Sequence, residues 1–201
     1  MERLLLIQII LFSFPCIGQP ADCELKREKD GIKVFTCKSD SGELRSIQAE
    51  FVIENISIEE LKAFMFSVSD YPEWQYEVIE ATILKKISPD EMIFRVVADA
   101  PWPLENRELI ARFSTAICDA EHANFYTSSI PFDFPQNEDL VRVPYSYARW
   151  DVVRIDNSLH VTYKMHVNPG GYVPAFLVNM AIAEGPYKSF KKLKYLIEGK
   201  K

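Results

Sequence analysis

The side chains in this chain that could do acid–base or metal chemistry are few, and their spacing does not assemble a reaction centre. Asp99, Arg149 and Asp151 are the acid–base candidates. Charged residues on neighbouring strands are usually structural, and these three fall at no spacing that a reaction demands. His160 and His166 share the polar side of one alternating run, three steps apart. That is about 20 Å along an extended chain, too far to hold one metal ion. His122 follows Asp119 and Glu121 in a turn, the ordinary setting of a solvated histidine. A Gly-rich phosphate loop, paired metal-binding cysteines and a nucleophile elbow are all absent from the sequence. These residues therefore point to no metal, no cofactor and no catalytic site.

The cysteines carry a different chemistry. Residues 4–14 form a short apolar run, followed by Pro15-Cys16-Ile17-Gly18-Gln19. Its length and small-residue boundary predict a signal peptide over 1–19, cleaved near Gly18 or Gln19, and a periplasmic or extracellular protein. An uncleaved membrane anchor is the alternative. Lipidation at Cys16 is set aside because Phe14 and Pro15 precede it. One domain, 20–201, remains, long enough for a single core. In an oxidising compartment Cys23 and Cys37 can pair, because Asp30-Gly31 between them is a hairpin turn signal that folds them close to opposite positions. The register is open to one residue, and a slip of one would separate them. Cys118 is left over at the end of a strand-like run and reads as a buried or partly buried thiol.

These residues sit on a β-rich framework. Strands are predicted over 44–54, 78–87, 92–100, 108–118, 124–130, 145–155 and 159–167. A helix over 58–68 opens with Ser57 and Glu60 in capping-box spacing. The last thirty residues form the long helix around which the chain is organised. Pro174 suits its first turn, an apolar stripe runs from Val173 to Ile197, and Gly185-Pro186 should kink it midway. The predicted fold is α+β: a curved antiparallel sheet gripping the C-terminal helix. In 92–100, Met92, Phe94, Val96, Ala98 and Ala100 share one face; in 159–167, Leu159, Val161, Tyr163, Met165 and Val167 do. Which face of 145–155 turns inward is open, with Arg149 and Trp150 as rivals. The chain has 29 acidic and 23 basic residues, net −6, and no basic run before the final helix, so nothing supports nucleic-acid binding.

Four turns complete the pattern: Asp70-Tyr71-Pro72-Glu73-Trp74, Pro101-Trp102-Pro103-Leu104-Glu105-Asn106-Arg107-Glu108, Val141-Arg142-Val143-Pro144, and Pro169-Gly170-Gly171-Tyr172-Val173-Pro174. In this order, with Trp150 between the last two, they resemble the START family of lipid-transfer domains over most of 23–197. Two departures stand out: Glu108 where an Asp is commoner, and Cys23 near where a Trp often opens the first strand. The resemblance implies an exported, bacterial-type member with a helix-grip fold and a hydrophobic tunnel between sheet and helix. It implies non-catalytic binding or transfer of a lipid or sterol-like ligand by a monomer, with transient contact to a membrane surface. A cyclase- or hydrolase-like enzyme acting in the same cavity is the alternative, and a purely protein-binding module the third reading. The residues expected to line the cavity are Met92, Phe94, Val96, Asp99, Phe113, Trp150, Phe176, Leu177 and Met180. Wide aromatic and Met side chains suit an adaptable apolar pocket.

Overall fold

The structure, a computed structural model, describes residues 23–37, 45–173 and 175–199, with backbone alone at 45 and 175–183. The expected signal peptide lies outside the described residues. The chain runs β1 (Cys23–Lys29), β2 (Ile32–Cys37), β3 (Arg45–Glu54), α1 (Ile58–Phe66), α2 (Tyr71–Trp74), β4 (Val78–Ser88), β5 (Glu91–Ala98), β6 (Arg107–Cys118), β7 (His122–Ser129), β8 (Val141–Arg142), β9 (Tyr145–Ile155), β10 (Ser158–Asn168) and α3 (Ala175–Glu198). A single turn of 3-10 helix, Val68–Asp70, leads into α2.

The strands form one sheet in the order β1-β2-β3-β10-β9-β7-β6-β5-β4, antiparallel throughout. The short β8 adds to β6 in parallel. Bulges in β1, β4 and β6 increase the local twist, which curls the sheet around its concave face. α1 and α3 cover that face, and the buried core lies between them and the sheet.

Local chemistry explains the ends of these elements. The Ser57 hydroxyl accepts the Glu60 N–H at 3.1 Å while the Glu60 carboxylate accepts the Ser57 N–H at 2.8 Å, closing the predicted capping box. The β1–β2 turn has positive φ at both Asp30 and Gly31, as a two-residue hairpin matching strand twist requires. Simple two-fold pairing about that turn would set Cys23 against Lys38. The bulge at Lys26 takes up one residue, so Cys23 faces Cys37, and a disulfide joins them. α3 runs through Pro186 as one helix rather than ending there.

Two features differ from the sequence expectation. Asp70–Trp74 is helical rather than a bare turn, since Pro72 sits where the first helical turn needs no N–H. Cys118 is exposed rather than buried or partly buried, because the last three residues of β6 are exposed on both faces of the strand, past the edge of the core.

Candidate ligand cavity

Between the sheet and α3 lies a cavity of 590 Å³. The inner faces of five strands build most of its wall: Phe94 and Val96 from β5, Leu109 and Phe113 from β6, Thr127 from β7, Ala148 and Trp150 from β9, and Tyr163, Met165 and Val167 from β10. Gly185, Pro186, Ser189 and Phe190 of α3 face them. Tyr71 and Trp74 of α2 close one side, and Asp99, Pro101 and Leu104 form a rim on the β5–β6 loop.

Aromatic contacts hold the wall open. Trp150 meets Phe190, Tyr163 and Phe51 edge to face at 5.3, 5.1 and 6.0 Å, and Phe51 stacks on Phe190 at 4.6 Å. Tyr71 crosses Phe94 at 5.6 Å and donates its hydroxyl to the Met65 carbonyl at 2.7 Å. The Tyr163 hydroxyl meets the Met165 sulfur at 2.9 Å. Burial pushes both phenols well above their ordinary value, so they stay neutral at any working pH. Where Pro186 removes an N–H from the helix ladder, Ser189 joins α2 to α3: its hydroxyl accepts the Tyr76 N–H and donates to the Gly185 carbonyl, each at 2.9 Å. No other charged groups than Glu77, Asp99 and Arg107 lie among the described lining residues.

No protein-family model matches the chain. An uncharacterized protein of Pseudomonas aeruginosa is 22% identical over 178 residues, 88% of this chain and 87% of that protein. The phosphatidylcholine transfer protein of Mus musculus is 24% identical over 172 residues, 82% of this chain and 78% of that one. The ceramide transfer protein of Xenopus laevis is 21% identical over 201 residues, covering 90% of this chain but 32% of that longer protein. Among solved structures, the STAR-related lipid transfer protein from Xanthomonas axonopodis superposes with a TM-score of 0.80 at 24% identity, over 88% of this chain and 99% of that one. The chain has the START helix-grip fold.

Within that fold, Phe94, Val96, Asp99, Phe113 and Trp150 are brought together on the cavity wall. Met92 is not. It is buried, but it lines a separate cleft of 500 Å³ with Lys62, Phe66 and Cys118 on the α1 side. Phe66 meets Phe113 edge to face at 5.1 Å and partitions the two spaces. Phe176, Leu177 and Met180 lie in the part of α3 whose side chains are outside the described residues. On β9, Trp150 takes the inner face. Arg149 and Asp151 pair at 2.5 Å on the outer one, where Asn124 also donates to Asp151. The three acid–base candidates are thus split between two sides of the sheet. Cys118 is no activated thiol either: partial desolvation holds it above its ordinary value despite the nearby Lys62.

Sequence reasoning missed Tyr163, Met165 and Val167 as cavity residues although their common face was visible. What it lacked was the pairing of Tyr163 opposite Trp150. It also missed Arg107, which alternation from Phe113 through Leu109 places on the inner face.

Proposed function

We propose that this protein is a non-catalytic carrier of a single lipid or sterol-like molecule, exported from the cytoplasm and exchanging its ligand at a membrane surface. The observation that carries this reading is the 590 Å³ cavity in a START fold, walled chiefly by aromatic and aliphatic side chains. Its volume lies in the range of single-ligand sites. Enclosing an apolar tail there removes a cost of about 0.8 kcal/mol per exposed CH₂ in water. The transfer proteins among its relatives support a lipid as the cargo. The apolar run at 4–14 and the Cys23–Cys37 disulfide support export, since such bonds persist in oxidising compartments.

The rim supports exchange at a bilayer. Trp102, Phe132 and Tyr172 are 92%, 92% and 86% exposed on three different loops. Those loops converge on β8. Val141 donates its N–H to the Asn106 carbonyl, Arg142 donates to the Pro131 and Pro135 carbonyls, and Gly170 packs against Arg142 and Pro144. Exposed rings on neighbouring loops, Trp102 and Tyr172 with a polar atom and Phe132 without, suit the polar–apolar boundary of a lipid layer.

Native mass spectrometry of the gently purified protein, followed by lipid extraction, tests the reading. One lipid per chain is the expected result. Replacing Ala148, a small wall residue, by Trp should abolish lipid loading while leaving a folded protein. A wild type that never carries or accepts lipid would overturn the carrier reading. Recovery of chains still beginning at Met1 from the membrane fraction would overturn cleavage and export.

A further inference from the structure

Arg107 opens β6 at the point where the cavity meets the β5–β6 loop. Alternation along the strand puts it on the inner face with Leu109 and Phe113, while Glu108 between them points to the outer face. It is the one cation among the described lining residues. Its guanidinium is partly buried and donates to the main-chain carbonyl of Glu105, but no carboxylate among the described residues forms an ion pair with it. Asp99 and Glu77 lie on the same rim without reaching it.

The arginines behind the same sheet are treated differently. Arg95 and Arg142 both close on Glu108, and Arg95 also on Glu80. Desolvation depresses the Arg107 pKa below its ordinary value, outweighing the opposing charge of the nearby Glu105 carboxylate, which forms no ion pair with it. A guanidinium carries five donors, and among the described residues the Glu105 carbonyl is the one protein acceptor that Arg107 meets. Leaving a partly desolvated charge uncompensated is unfavourable, and an anionic oxygen pair arriving at the fork would relieve it.

We infer that Arg107 is the head-group site of the cavity, taking the anionic oxygens of an amphiphile, a phosphate diester or a carboxylate, while the apolar tail lies along Leu109, Phe113 and Trp150. This rests on the carrier reading. It adds that the ligand bears a negative oxygen group, and that a lipid with the same tails and no such group binds more weakly. A planar fork rather than a point charge is what the site offers, so lysine is not an equivalent replacement.

Three oleoyl probes test it on the full mature protein, each measured by equilibrium binding: dioleoyl phosphatidylcholine and dioleoylglycerol, which share both tails, and oleate, which carries one. Wild type should bind phosphatidylcholine or oleate more tightly than dioleoylglycerol. Arg107→Gln should weaken the preferred anionic-oxygen ligand by about tenfold or more while changing dioleoylglycerol by less than about twofold. Arg107→Lys should fall between wild type and Arg107→Gln, and it keeps the test available should the Gln variant fold poorly. Loss confined to phosphatidylcholine assigns the site to phosphate, and loss confined to oleate to carboxylate; either supports the inference. Binding of phosphatidylcholine and of oleate that is the same in wild type and the two variants overturns it while the carrier reading stands. So does a wild type that prefers dioleoylglycerol. Failure of wild type to bind any of the three overturns the carrier reading and this inference together.

Discussion

Beneath the β1–β2 hairpin, Ile32, Val34, Ile53, Leu159 and Leu193 are wholly buried in a filled core, whereas under the β5–β6 loop the half-buried Leu109, Tyr163, Met165 and Val167 border a 590 Å³ space. The filled end is held by packing and by ties from the hairpin to α3. Arg27 pairs with Glu184 and lies over the Tyr187 ring, and Tyr187 and Lys191 both reach Asp30 at 2.7 Å. At the hollow end, side chains cannot close-pack across the gap, and the sheet is braced from behind instead. Glu108, 3% exposed, sits between Arg95 and Arg142 on the outer face, and Arg142 anchors the loop after β7 by its carbonyls. A fold that keeps an internal space moves part of its stabilisation to the far side of the wall.

The sharpest way to break this comparison is to remove the brace. Glu108→Gln should destabilise the protein by about 3–5 kcal/mol in urea unfolding at pH 7, because it leaves two arginines facing a neutral group. Burial alone would raise the Glu108 pKa, but hydrogen bonds from Arg95 and Arg142 outweigh it and hold the value below the ordinary 4.5. A carboxylate depressed in the folded state adds stability above its unfolded value, and that contribution fades as pH falls through the folded one. The gap between wild type and variant should therefore narrow below pH 4.5. A gap that is small at pH 7, or that persists undiminished in acid, would show that the ion pairs do not brace the sheet.

Next in size, Leu193→Ala at the filled end should cost about 3–4 kcal/mol, with the fully buried side chain leaving a new void. Cys23→Ser should cost about 3 kcal/mol, the chain-entropy value for a loop of this length. Reduction of wild type should reproduce that shift in melting temperature and leave the variant unmoved. Phe94→Ala should cost about 2 kcal/mol or less, below the 3–5 usual for a buried Phe, because the ring borders a cavity that already exists and its removal only enlarges it. Equal losses for Phe94→Ala and Leu193→Ala would erase the distinction between hollow and filled ends. Smallest of all, Trp102→Ser, Phe132→Ser and Tyr172→Ser should each stay within about 0.5 kcal/mol of wild type in stability. Together they should reduce cosedimentation with phosphatidylcholine vesicles. Unchanged cosedimentation would remove the rim from the exchange step.

Much of this was legible locally. The capping box at Ser57 and Glu60, the Asp30-Gly31 turn, the shared face of Phe94 and Val96, and the helical stripe of Tyr187, Phe190, Leu193 and Ile197 each depend on residues a few positions apart. Short-range spacing carries them. The Trp102 and Gly170-Gly171 segments were legible as loops for the same reason, and their order along the chain suggested the fold that the superposition then showed.

What only tertiary structure decided depends on partners distant in sequence. A one-residue bulge at Lys26 put Cys23 opposite Cys37, and no spacing rule announces a bulge. Strand neighbours chose Trp150 over Arg149 for the inner face, since Phe51, Tyr163 and Phe190 supply the apolar surroundings that a guanidinium could not share. Contact between Phe66 and Phe113, residues on different elements, cut Met92 off from the cavity its alternation had promised. Arg107 and Glu108 are adjacent in sequence. Period-two geometry sends them to opposite faces of β6, Glu108 into a pair of arginines and Arg107 to the cavity rim, where no described carboxylate forms an ion pair with it. Alternation along a strand is local and can be read. What waits on each face is set by which strands fold alongside.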